Sequence, residues 1–178
     1  MRSLCTFFLL LISSPQVWAG VTSQDLFNAI NERLSYMEDV ALFKAQKHLP
    51  IENIERENVV LDKAKMSAFK QGLDPDSIEG FFEAQISVAK AIQFRYRADL
   101  LFEPSVEKSK NLQNEVRPLL LELGDQIIKN ISMYLKNHDS IEPSLFSEFD
   151  ASINIKYVTA LEKKQLFEAL RKVKRLSD

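Results

Sequence analysis

The chain has 178 residues, 23 Lys and Arg against 25 Asp and Glu, a formal net charge of −2 and a mean hydropathy of −0.16. Its charges alternate without a long single-sign run, apart from a basic stretch at Arg171–Arg175, which argues against a nucleic-acid partner. Cys5 is the one cysteine, so disulfide, thiolate and zinc-thiolate chemistry are excluded from any mature chain that begins beyond it.

The first predicted element is a cleavable signal peptide. Arg2 precedes an uncharged, mostly apolar run from Leu4 to Ile12, and Val17-Trp18-Ala19 offers a small-residue cleavage site before Gly20. That run is about half the ~20 residues of a spanning helix, so no membrane anchor is expected. A periplasmic or secreted location follows. Residues 20–178 are then expected to form one helical domain.

Helices should dominate that domain, because only four glycines and six prolines punctuate the whole chain and no alternating apolar–polar stretch persists. The spacing predicts a first helix from about Ser23 to Lys47, opened by Thr22 with Asp25 three residues on. A second runs from after Pro50 to about Gln71, stopped at Gly72. Asp74 and Pro75 open a third, which reaches about Leu100. Phe102 to Asn111 reads as a polar connection or a frayed start. A fourth helix carries Leu112, Leu120, Leu123, Ile127 and Ile131, with Pro118 either early in it or kinking it. The last is predicted over about Asn154 to Leu176, with Val158, Leu161, Leu166, Phe167, Leu170 and Val173 inward.

Polar residues interrupt these apolar seams. On the first helix the stripe reads Leu26, Ile30, Arg33, Met37, Val40, Lys44, which places two cations on the buried face about 16 Å apart. Arg56 shares a face with Asn53, Val60 and Ala64, while Gln85, Ala89, Gln93 and Tyr96 share another, and Arg117 lies with Leu121, Gly124 and Ile128. Any one of these could be a long side chain snorkelling to water. Four helices that each aim such a group inward point instead to a cavity that holds an anion, since buried polar groups require partners.

Other chemistries lack a signature. His48 and His138 stand apart from any metal-ligand spacing, and neither a nucleophile elbow nor a phosphate loop is present. A catalytic pocket, a non-catalytic carboxylate receptor and a helical interaction module all stay open on the residues alone.

Six segments carry a resemblance. Ile30-Asn31-Glu32-Arg33-Leu34, Val40-Ala41-Leu42-Phe43-Lys44 and Leu49-Pro50-Ile51-Glu52-Asn53-Ile54-Glu55-Arg56-Glu57, continued by Gly72-Leu73-Asp74-Pro75, Phe81-Phe82-Glu83-Ala84-Gln85-Ile86 and Ala91-Ile92-Gln93, resemble AroQ-class chorismate mutases. With the signal peptide and extra C-terminal helices, the chain is similar to their exported gamma subclass.

The resemblance implies an all-α, single-domain bundle of about five to six helices. It also implies rearrangement of chorismate to prephenate without metal or cofactor, and a homodimer in which each active site lies within one chain. Carried over by position, Arg33 and Arg117 would hold the substrate carboxylates, with Arg95 and Arg97 as the other candidates for the second arginine. Lys44 and Gln93 would hydrogen-bond the ether oxygen, and Arg56 and Glu57 would sit near the ring hydroxyl, helped by the backbone around Asn53. Asn53 replaces a common Asp, and Ala89 stands where Ser or Thr often supplies a hydroxyl. Since Gln93 is neutral, activity is expected to vary little between about pH 5 and 8.

Overall fold

The computed structural model describes residues 21–176, and the expected signal peptide over residues 1–19 lies outside the described residues. Helix α1 (Ser23–Ser35) opens as expected, with the Thr22 hydroxyl accepting from the Asp25 N–H and the Asp25 carboxylate accepting from the Thr22 N–H. The predicted continuous helix to Lys47 breaks, however, at Tyr36, and α2 (Met37–Gln46) follows. Ser35 donates its hydroxyl to the Glu32 carbonyl at 2.7 Å, a back-bond that competes with the helical ladder and bends it.

Asn53 caps α3 (Ile54–Lys70) by accepting from the Arg56 N–H at 2.8 Å. Gly72, at φ 71°, ends the turn that follows, a conformation glycine adopts without a Cβ clash. Asp74 caps α4 (Pro75–Asp99). Residues 100–111 carry no helix, and a π-helical turn, Leu112–Val116, leads into α5 (Arg117–Asn137). Pro118 falls in the first turn of α5, where a missing N–H costs nothing, so it starts the helix and does not kink it.

The C-terminal third departs most from expectation. A 3₁₀ turn, Pro143–Leu145, and the short α6 (Phe146–Ser152) appear where no element was predicted, and the last helix, α7, covers only Ala160–Arg171. Its start is set by Thr159 and Glu162, which form a second capping box. With this shorter span Leu161 faces solvent, 64% exposed, against the inward position expected for it.

Helix α4 is the spine: α2, α3 and α7 pack on it, while α1 packs against α5 and α6. The core runs through Phe27, Ile30 and Leu34 of α1, Phe81, Phe82 and Ile92 of α4, Ile127 and Ile131 of α5, and Leu166 and Phe167 of α7. Arg95 grips both carboxylate oxygens of Glu162 at 2.8 Å, tying α4 to α7. Among the described residues the backbone pairs as a sheet would only at the Leu73–Arg175 bridge, where the chain end lies against the α3–α4 turn.

Candidate active site

Helices α1 to α5 enclose a cavity of about 850 Å³, within the range of small-molecule sites. Arg33, Lys44, Asn53, Arg56, Glu57, Gln93 and Arg117 all line it. The seam of α1 and α2 puts Arg33 and Lys44 on its wall, the first turn of α3 adds Arg56 and Glu57, α4 adds Gln93, and the start of α5 adds Arg117.

Arg33 is the most buried of these charges, 5% exposed. Its Nη1 donates to Gln85 Oε1 at 3.3 Å, its guanidinium lies 5.6 Å from the centre of the Phe82 ring, and its Nε has no partner in the protein. Burial first, and the neighbouring Arg56 second, lower its pKa to about 10. Arg56 is lowered as well, by burial and then by Arg117.

Lys44 donates to the Ile51 carbonyl and, at 3.1 Å, to Gln93 Oε1. Two of its three N–H groups are thereby fixed, which leaves the third for a ligand. Burial and then Arg117 depress its pKa to about 8. Among the described residues no carboxylate forms an ion pair with Arg33, Lys44, Arg56 or Arg117. A buried Arg33 beside the half-buried Lys44, Arg56 and Arg117, none of them in an ion pair, is costly by itself and complements an anion.

The Gln93 amide donates to the Ala89 carbonyl at 3.1 Å and to Met37 Sδ at 3.7 Å. Asn53 works at the rim. Its side chain caps α3 and its N–H donates to Glu57 Oε1 at 3.3 Å, so an asparagine serves there as an aspartate would. Arg95 and Arg97 point elsewhere, to Glu162 and to the Leu49 carbonyl, and neither lines the cavity. Sequence reasoning missed Lys90, which lines the cavity and bridges Glu57 and Glu52 at 3.1 Å each. Its place directly after Ala89, on the face that carries Gln93 one turn later, was the available signal.

The family model for chorismate mutase type II matches residues 22–94. Over 95% of its length the chain is 35% identical to a monofunctional chorismate mutase of Enterobacter agglomerans, covering 95% of that protein. The chain belongs to the chorismate mutase family. A secreted chorismate mutase of Yersinia pestis is 39% identical over 82% of this chain and 78% of its own. The crystal structure of secreted chorismate mutase from Yersinia pestis superposes with a TM-score of 0.79 at 37% identity, over 85% of this chain and 97% of that one. For a chorismate mutase the all-helical fold is thus as expected, and Arg33, Lys44, Arg56 and Arg117 around one cavity, with no ion pair to any of them among the described residues, are the feature a dicarboxylate substrate would need.

Proposed function

We propose that this chorismate mutase rearranges chorismate to prephenate inside the α1–α5 cavity, with Arg33 and Arg117 on the two carboxylates, Lys44 and Gln93 on the ether oxygen, and Arg56 and Glu57 at the ring hydroxyl. The observation that carries this is Arg33: a buried guanidinium without a carboxylate partner, on the same cavity as Lys44, Arg56 and Arg117. The reaction is unimolecular. One C–O bond breaks while one C–C bond forms in a cyclic shift of electron pairs, so neither nucleophile nor proton transfer is needed. What accelerates it is restraint to a compact conformer and stabilisation of the charge that gathers on the departing oxygen.

Lys44 is preorganised for that oxygen by Ile51 and Gln93. Gln93 joins it by exchanging the weak Met37 thioether contact for the substrate. The backbone N–H of Asn53, held by Glu57, and the capping side chain keep Arg56 and Glu57 in place. Ala89, on the cavity wall, leaves carboxylate binding to the arginines.

Export as a periplasmic or secreted enzyme is supported by the Leu4–Ile12 run and by relatives named as secreted. A site complete within one chain of a homodimer, the gamma arrangement, is supported by the single cavity that gathers all seven residues. Residues 20–178 as one domain is supported by α7 packing on α4 and α6 on α1. The test is loss of chorismate absorbance on adding purified protein, with acid conversion of the product to phenylpyruvate. Turnover that is absent, or unchanged in Arg33→Ala, would overturn the assignment.

A further inference from the structure

We infer that Gln85 is a positioning residue for carboxylate recognition: it holds the Arg33 guanidinium so that the remaining N–H groups face the cavity, an inference that rests on the proposed chorismate mutase activity. Gln85 is fully buried on α4 and is absent from the cavity wall, behind Arg33. Its Oε1 accepts from Arg33 Nη1 at 3.3 Å. One turn earlier on the same face, Phe82 lies under the guanidinium, 5.6 Å from ring centre to Cζ. Helix α4 therefore grips the same planar group at one edge and on one face, which removes the freedom a long arginine side chain would otherwise have.

Packing does not account for an amide here. Gln85 Nε2 is buried without a partner, and a buried donor left unpaired costs stability that a leucine of similar size would not. What the amide supplies is a neutral acceptor. A glutamate in its place would pair with Arg33 and consume the charge meant for the ligand, while an apolar residue would leave the guanidinium unaligned.

The test measures kcat, KM for chorismate and the inhibition constant of prephenate for the parent, Gln85→Leu, Gln85→Met and Gln85→Glu, at a temperature where circular dichroism shows each folded. Gln85→Leu and Gln85→Met are expected to raise KM about tenfold or more, the cost of misplacing one charge-assisted contact, with kcat changing less and the prephenate constant rising in parallel. Gln85→Glu should raise KM further at pH 7.5, because its carboxylate pairs with Arg33 and takes up the charge meant for the substrate. A purely structural role predicts lower melting temperatures with KM and the prephenate constant unmoved, and that result overturns the inference. If the apolar variants do not fold, a KM and a prephenate constant for Gln85→Glu equal to the parent's overturn it equally. A parent protein without turnover would sink the proposed function instead, whereas an active parent whose Arg33→Ala variant is impaired and whose Gln85 variants bind normally would sink only the role of Gln85.

Discussion

Phe27 and Arg33 lie less than two turns apart on α1, and both are buried, yet their surroundings are opposite. Phe27 meets Phe149 edge-on at 5.2 Å and Phe167 at 6.4 Å, and Phe146 adds to the same cluster 5.4 Å from Phe167. Every contact there is apolar, so burial is favourable on its own. Arg33 faces Lys44, Arg56 and Arg117 around a cavity, and burial and mutual repulsion hold the first three below their usual pKa values. One helix thus carries a stabilising end and an end whose burial is justified by a ligand. The aromatic end supplies the rigidity that keeps the cationic end assembled.

Phe167→Ala should break the comparison most severely. It removes a ring at the centre of the α1–α6–α7 cluster and is expected to cost about 3–5 kcal/mol of folding stability, measured by urea denaturation, with kcat near normal where the variant remains folded. A loss under 1 kcal/mol would mean that the aromatic end is not what holds the bundle.

Lys44→Met tests the opposite end. Loss of the proposed donor to the ether oxygen is expected to lower kcat on the order of 10²–10³-fold, while Tm at pH 7 rises by a few degrees because a charge that burial disfavours is gone. The folded pKa of Lys44, about 8, lies below the ordinary 10.5. Between those values the folded parent binds fewer protons than the unfolded one, so its stability gains as pH rises through that window. The Tm advantage of Lys44→Met should therefore narrow above pH 8. An advantage that widens would show that the Lys44 charge stabilises the fold.

Catalysis should report the same group. The expectation of flat activity from about pH 5 to 8 meets its upper edge at Lys44: kcat/KM should hold to about pH 7.5 and then fall, approaching tenfold per unit above pH 8. At saturating chorismate the fall should move to higher pH, since a bound dianion raises the Lys44 pKa again. A kcat/KM that stays level to pH 9.5 would remove the protonated lysine from the mechanism.

The smallest effect concerns the loop between α2 and α3. His48 sits at φ 53° just past α2, with the Leu49 N–H bonded to the Lys44 carbonyl at 2.8 Å and its own N–H to Ala45 at 3.1 Å, the αL helix stop that glycine prefers. His48→Gly should add about 1 kcal/mol of stability and leave KM within twofold. A destabilised variant would assign the imidazole a contact of its own.

Much of the site was legible along the chain. The positions Arg33, Lys44, Arg56 and Arg117 follow from helical periodicity, because a side chain's face depends only on its register within a helix. Caps at Thr22 and Asp74 are equally local. The break at Tyr36 was not legible, since the Ser35 back-bond that accompanies it has alternatives in solvent that sequence cannot rank. The capping box at Thr159 and Glu162 was present in the sequence but was outweighed by apolar residues upstream, which belong to a loop and not to α7.

The sequence by itself determined which elements are helical, which of their faces are apolar and where charges interrupt those faces, since each of these is decided within a few residues along one helix. Only the tertiary structure decided that the interruptions meet around one cavity, that Arg117 and not Arg95 or Arg97 reaches it, and that Gln85 stands behind Arg33. Those facts depend on how separate helices cross, and a crossing is set by the summed packing of side chains distant in the chain.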